Sequence, residues 1–287
     1  TCSNILKEEL LWVMRKGVSV HLDSLTQLQW WGEARPNSKV SLRINRGFGA
    51  GSHGHVITGG PESKFGIYYT DLPKARAIAK RYGLTIAGLE QHIGSNIREP
   101  AIFVRAMRLL LDSAREFPHL EFIDFGGGLG IPYRPEETPH DVQKLGMLMT
   151  KTFSEFCKNY GRALELRIEP GRYIVAEGGA LLTIVSDIKQ TPGHTFIGIH
   201  SGMGHLIRPA LYGSYHHIFN LSNPHGALRS VNIVGNICES GDAFAKKRKL
   251  PLTKKGDIVL IADTGAYGYV MSSEYNRRKK PREVLIP

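Results

Sequence analysis

Short apolar runs alternate with amphipathic stretches as far as about Gly178, and after that point the helical stretches stop. This change of texture constrains the fold more than any other feature. Val18–Leu22, Val40–Ile44, Leu84–Leu89, Phe122–Phe125 and Leu164–Ile168 read as strands. Between them, Ser24–Glu33, Glu99–Phe117 and Asp141–Tyr160 carry apolar residues near helical spacing. Repeated strand–helix units imply parallel strands joined by helical crossovers, hence an α/β barrel or a doubly wound sheet. Beyond Gly178, Leu181–Val185, Thr195–Ile199, Ser230–Val234 and Ile258–Ala262 are β-type runs separated by Gly, Pro and Asn, with no long helix among them. The expected organisation is an α/β region over residues 1–177 and a mainly antiparallel β domain over residues 178–287.

Bulk properties narrow the function classes. The chain is 41% hydrophobic and 22% charged, ordinary values for a folded globular protein. No run approaches the ~18–20 apolar residues of a membrane span, and the first residues lack the apolar core of a signal peptide. Cys2, Cys157 and Cys238 are far apart, without a CxxC pair, which argues against a disulfide scaffold or zinc site and for a reducing, cytoplasmic setting. The net charge of +11 raises the question of nucleic acid. Its lysines and arginines are spread out, however, and the clusters Lys246–Lys249 and Arg277–Lys280 sit in no nucleic-acid-binding pattern. Small anionic ligands suit the charge better than nucleic acid or membrane.

Several segments group residues that could carry chemistry. Asp124-Phe125-Gly126-Gly127-Gly128-Leu129-Gly130 runs from a strand into glycines, whose backbone N–H groups can converge on a phosphate or simply permit close packing. It is not a nucleotide-hydrolysing GxxxxGK[ST] loop. Ile168-Glu169-Pro170-Gly171-Arg172 sets an acid and a guanidinium about a Pro-Gly turn; alone this is a surface ion pair, in a site it is an acid facing a ring nitrogen and an arginine fork facing a carboxylate. His92, in Gln91-His92-Ile93-Gly94-Ser95, follows another strand. Arg208 and Tyr212, with Tyr267, fall in the β region. Cys238, Glu239 and Asp242 crowd the short segment Gly235–Asp242, where a thiol and acids can exchange protons or grip an ammonium group.

Taken together, QHIGS at 91–95, DFGGGLGIPY at 124–133, EPGRYIVAEGG at 169–179, GMGHLIRPALYGSYHHI at 202–218, GNICESGD at 235–242 and DTGAYGYVMSSEYNRR at 263–278 run nearly end to end. With GAGSHGHVITGGPESKFGI at 49–67, they resemble the diaminopimelate decarboxylase branch of the pyridoxal-phosphate-dependent decarboxylases, built on an alanine-racemase-like (β/α)8 barrel followed by a β domain. The resemblance implies decarboxylation of meso-diaminopimelate to L-lysine, the last step of lysine biosynthesis, with pyridoxal 5'-phosphate as cofactor. It assigns the cofactor phosphate to Gly126, Gly127 and Gly128 with Ser95 and Tyr267, the pyridine ring face to His92, and the ring nitrogen to Glu169. It assigns the substrate's carboxylates to Arg172, Arg208 and Tyr212, its distal ammonium to Glu239, and proton donation to Cys238. It also implies a homodimer in which the 235–242 loop completes the neighbouring subunit's pocket.

The chain departs from the family in one large respect. The lysine to which the family attaches its cofactor sits in an AVKAN-like motif, and no such motif occurs here. The simplest expectation is an internal slice of a longer protein, with a barrel left open at its edges and inactive alone. An incompletely represented fused enzyme and a non-catalytic or regulatory homologue are the alternatives, as is another basic amino-acid decarboxylase of the ornithine or arginine type. His200, Gly204 and His205, where relatives carry Asp or Asn, are expected to alter the support of Arg208 or to mark a subfamily.

Overall fold

The computed structural model describes residues 3–286, so Cys2 lies outside the described residues. The chain divides into two compact units. The first comprises residues 1–130 and 140–170; the second comprises 131–139 and 171–287. The sequence places a domain boundary at 177/178; these compact units meet in the chain at Pro170/Gly171, and the strand-free segment 131–139 goes with the second.

In chain order the first unit contains α1 (Lys7–Arg15), β1 (His21–Leu22), α2 (Leu25–Ala34), β2 (Lys39–Asn45), β3 (Ile67–Tyr68), α3 (Leu72–Arg81), β4 (Thr85–Glu90), α4 (Pro100–Ala114), β5 (Phe122–Asp124), α5 (Val142–Tyr160) and β6 (Glu165–Arg167). Its strands pair in parallel in the order β1-β2-β4-β5-β6, with β3 also on β2. Local chemistry sets the helix ends. Ser24 Oγ accepts from Gln27 N at 3.2 Å while Gln27 Oε1 accepts from Asp23 N at 2.8 Å, a reciprocal cap on α2. Asp141 Oδ1 accepts from Lys144 N at 2.9 Å to start α5, and Gly161 at φ 83° ends it in the left-handed region.

Register explains where the core and the chemistry go. Leu22, Leu42, Leu89 and Ile123 stand side by side across four strands and are wholly buried. They form the helix-facing layer with Met107, Leu110 and Leu111 of α4. One residue further along, Arg43, Glu90, Asp124 and Arg167 line up across β2, β4, β5 and β6. Because side chains alternate faces, this charged row points to the opposite side at the strands' carboxyl ends, where barrel enzymes carry their chemistry.

The second unit contains α6 (Arg172–Val175), β7 (Leu181–Thr191), β8 (His194–Ile199), α7 (Arg208–Tyr212), β9 (Ile218–Asn220), β10 (Leu228–Val234), β11 (Ala243–Pro251) and β12 (Ile258–Ile261). The sheet order is β11-β10-β8-β7-β12-β9, antiparallel except for the β8–β10 pair, and its end strands β9 and β11 approach within 8 Å. Val185, Ile197, Ile199, Ile233, Phe244, Val259 and Ile261 fill its interior. The basic run Lys246–Lys249 is not a free charge cluster but the middle of β11, anchored by buried Phe244 and Leu250.

Candidate active site

In the first unit the site grows from the ends of β4, β5 and β6. The peptide chain after β5 is threaded through tight backbone contacts. Phe125 N donates to Arg167 O at 3.0 Å, and Glu169 N donates to Gly126 O at 2.8 Å. A methyl group on Gly127 would lie 2.2 Å from Glu169 O, and one on Gly128, which has φ +106°, would lie 2.5 Å from Gly94 O. Only glycine fits such an approach. Gly126 N donates to Asp124 Oδ1 at 2.9 Å and Gly127 N to His92 Nδ1 at 3.1 Å. Gly128 N, alone of the three amides, has no hydrogen-bond partner among the described residues.

His92 is held from both ends. Its Nδ1 accepts from Gly127 N, so the ring proton resides on Nε2, and its carbonyl accepts from Thr58 Oγ1 at 3.0 Å. Burial, and then the Arg43 charge, push its pKa down to about 4. Beside it, His21 Nε2 lies 3.7 Å from Asp124 Oδ2, and burial lowers His21 to about 4 as well. The ligand-type atoms of His21, Asp124 and Glu169 all lie within 4.8 Å of one another. Glu169 is exposed along its length, but its carboxyl end enters this group; desolvation there, and then the Asp124 charge, raise its pKa. Arg43, with Nε 3.5 Å from Glu90 Oε2 and 3.9 Å from Asp23 Oδ1, is the buried cation of the row.

In the second unit two arginines are buried close to one tyrosine. Arg172, opening α6, and Arg208, opening α7, are 5% and 4% exposed. Arg172 donates from Nη1 to Tyr133 Oη at 2.7 Å, and its guanidinium lies 5.1 Å from the Tyr267 ring centre. The Arg208 guanidinium lies 4.6 Å from the Tyr133 ring centre, and its Nη1 is 2.9 Å from His216 Nε2. Tyr212 is at the far end of α7, at the i+4 spacing that shares a helix face with Arg208.

The Gly235–Asp242 loop is organised by its last residue. The buried Asp242 carboxylate accepts from Met203 N at 2.6 Å and from Ile237 N at 2.7 Å. Cys238, Glu239, Ser240 and Gly241 are all exposed beyond this clamp. Glu239 Oε2 accepts from Tyr275 Oη at 2.8 Å. The structure thus gathers His92, the glycines and Glu169 in the first unit, and gathers Arg172, Arg208 and Tyr267 in the second. It presents Cys238 and Glu239 on a separate surface loop. His205 bonds Ser201 Oγ and Lys279 O; the partners of Arg208 are Tyr133 and His216 instead.

The family model described as pyridoxal-dependent decarboxylase, pyridoxal binding domain, matches residues 2–176. A diaminopimelate decarboxylase of Methanothermobacter thermautotrophicus is 41% identical over 294 aligned residues, covering 100% of this chain and 68% of the relative. This chain belongs to the diaminopimelate decarboxylases. The Escherichia coli K12 family member is 38% identical, over 94% of this chain and 67% of its own length. A crystal structure of a diaminopimelate decarboxylase superposes with a TM-score of 0.89 at 36% identity, covering 96% of this chain and 68% of that one. The fold is therefore that of the family, an alanine-racemase-like α/β barrel with a β domain, and the chain spans about two-thirds of these relatives.

Sequence reasoning missed His21, Arg43, Glu90, Tyr133 and His216. His21 opens β1, Arg43 lies two residues before the end of β2, and Glu90 closes β4, so only Glu90 holds the strand-end position that itself signals a barrel site. Tyr133 and His216 lie inside the motifs at 124–133 and 202–218, but carried no signal of their own there.

Proposed function

We propose that this chain carries the cofactor- and substrate-holding residues of a pyridoxal-phosphate-dependent carboxy-lyase that converts meso-2,6-diaminopimelate to L-lysine. The observation that carries the substrate assignment is the pair of buried guanidiniums, Arg172 and Arg208, on Tyr133, which suits a substrate that retains a carboxylate after reaction. A relative from M. jannaschii, 32% identical with a TM-score of 0.87, was solved with L-lysine bound, which accords with that product.

The residues present fit pyridoxal phosphate. Gly127 and Gly128 pack so closely on Glu169 O and Gly94 O that any side chain would clash, which keeps this turn bare backbone, and Gly128 N has no hydrogen-bond partner among the described residues and remains available to a phosphate. Gly126–Gly128, Ser95 and Tyr267 would hold the phosphate, His92 the ring face, and Glu169 the ring nitrogen. Bound pyridoxal phosphate supplies an electron sink for the pair left when carbon dioxide departs. Glu169, whose pKa is raised by burial and Asp124, gains most from a cationic partner, because a positive ring nitrogen would offset both effects. His92 is a neutral, flat surface at any pH near 7. Arg172, Arg208 and Tyr212 orient carboxylate, Glu239 holds the distal ammonium, and the Cys238 thiol returns a proton to the reacting carbon.

Cys238 and Glu239 act across a homodimer interface in this reading. Support comes from their exposure on a loop whose base, at Asp242, is rigid. The protein works in the cytoplasm, where Cys157 and Cys238 stay reduced. Full-length protein given pyridoxal phosphate and meso-diaminopimelate is expected to release carbon dioxide and accumulate lysine, with ornithine and arginine as poor replacements. A Glu239→Ala variant is expected to lose most of this turnover. Equal turnover of ornithine, or an unaffected Glu239→Ala enzyme, would refute the substrate assignment.

A further inference from the structure

A glutamate on an exposed loop has three side-chain torsions to settle, so its carboxylate meets one particular ligand group only if the structure aims it. Three segments of the second unit converge to aim Glu239. The Asp242 carboxylate ties two of them together, accepting from Ile237 N on its own loop and from Met203 N of the segment 201–205. Its seat is close: a methyl group on Gly235 would lie 2.3 Å from Asp242 Oδ2, and one on Gly202 would lie 3.1 Å from it. The third segment joins next to Met203, where Gly204 O accepts from Ser273 N at 2.7 Å. Asn276 and Arg277 then turn the chain at φ 53° and 57°, with Arg277 N donating to Glu274 O at 2.8 Å and Arg278 N to Tyr275 O at 3.2 Å. Tyr275 thus stands on the same hydrogen-bonded platform as Glu239, and its hydroxyl donates to Glu239 Oε2 at 2.8 Å. On the other side, Glu239 Oε1 lies 3.0 Å from the place a methyl group on Gly241 would take. The carboxylate therefore sits between a phenol and bare backbone.

We propose that Tyr275 is a positioning residue that, with Gly241 kept free of a side chain, aims the Glu239 carboxylate at an ammonium group and so sets a preference for a diamino over a monoamino dicarboxylate. A phenol suits this task. It is neutral, so it fixes one oxygen and leaves the negative charge for the ligand; a lysine or arginine in its place would fix the carboxylate and cancel that charge. A carboxylate offers about four acceptor positions, of which Tyr275 takes one. The bond to Glu239, and then the charge of Glu239, raise the phenol's pKa, so the hydroxyl stays a donor throughout the neutral range. Both groups are exposed, so the bond adds little to folding stability. Its consequence is direction, which is read in binding rather than in unfolding.

The role of Tyr275 rests on the reading of Glu239 as the holder of an ammonium group, and one set of assays separates the two. The full-length protein loaded with pyridoxal phosphate is assayed with meso-diaminopimelate, and 2-aminopimelate is the competing probe. The probe has the same seven-carbon chain and both carboxylates but one ammonium group fewer. Tyr275→Phe keeps the ring and loses the hydroxyl. It is expected to raise KM for meso-diaminopimelate about fivefold or more with kcat within about threefold, and to leave the inhibition constant of 2-aminopimelate within about twofold of the parent's. Gly241→Ala crowds Oε1 from the opposite side and should give the same selective rise. In a Glu239→Gln background, Tyr275→Phe should add less than about twofold, because the hydroxyl acts only through the carboxylate. Equal weakening of both compounds, a fall in kcat at constant KM, or additive effects of Tyr275→Phe and Glu239→Gln would overturn the proposal. If Glu239→Gln leaves the preference for meso-diaminopimelate over 2-aminopimelate unchanged, the ammonium reading fails and the role of Tyr275 fails with it. If Glu239→Gln removes that preference and Tyr275→Phe does not touch it, the positioning role alone fails.

Discussion

His92 offers a quantitative check on the geometry at the glycine turn. Its imidazole accepts from Gly127 N and is held at a pKa of about 4, against 6.5 in an unfolded chain. The unfolded state therefore binds more protons between these values, and stability rises with pH there. The contribution is intact above about pH 6.5 and is lost as the pH falls toward 4. At pH 5 the proton-binding terms of the unfolded and folded states differ by a factor of about thirty, so the step from pH 7 to pH 5 removes about 2 kcal/mol. Against a typical total of about 5–15 kcal/mol this is readily measured. Trp12, Trp30 and Trp31 all lie in the first unit, so tryptophan emission during urea unfolding of the cofactor-free protein follows that unit alone. His92→Gln removes the titration while His21, Asp124 and Glu169 titrate in both proteins, so the loss between pH 7 and pH 5 should shrink by about 2 kcal/mol. An undiminished loss in the variant would show that His92 is not held neutral by the fold, and the Gly127–His92 bond would lose its support.

Gly127→Ala places a methyl group 2.2 Å from Glu169 O and should lower stability by about 2–4 kcal/mol and pyridoxal phosphate affinity by about tenfold or more, read by melting and equilibrium dialysis. Gly146→Ala, in the open middle of α5, is the contrasting control and should stabilise by up to about 1 kcal/mol. Asp242→Ala strands the amides of Met203 and Ile237 and should cost about 2–3 kcal/mol, with faster proteolytic cutting between residues 236 and 241.

The alternation of strand and helix was legible because its strands are short runs rich in apolar residues, as in Leu84–Leu89 and in the alternating Val40–Ile44, set between longer stretches at helical spacing. The helix α3 was not read from the sequence, although its buried Leu72, Ala75 and Ala79 recur at helical spacing among basic residues; it is only ten residues long and its buried side chains are mostly small. Val18 reads as strand by composition but is 55% exposed, and the paired strand is only His21–Leu22. In β11 four basic residues hide a strand whose buried positions are Phe244, Ala245 and Leu250. The candidate site divides the same way. Glycines, the Glu169–Arg172 turn and the Cys238–Asp242 loop stand out because their residue types are unusual together. Arg43 and Glu90 do not, since a charge at a strand's end looks like a charge leaving the core until the register aligns it with Asp124 and Arg167.

The two buried histidines show why register and tautomer matter more here than residue type. His92 accepts at Nδ1 from a backbone amide and so keeps its proton on Nε2; His216 donates from Nδ1 to a backbone carbonyl and so keeps its lone pair on Nε2. The backbone chooses opposite tautomers, yet each ring ends neutral, and in each case a nearby arginine, Arg43 or Arg208, deepens the depression that burial begins. A cation that discourages protonation of its neighbour keeps its own charge undivided. The two proposed anion sites, one for a phosphate and the other for a carboxylate, are thereby lined with histidine without having their field depend on pH across the neutral range.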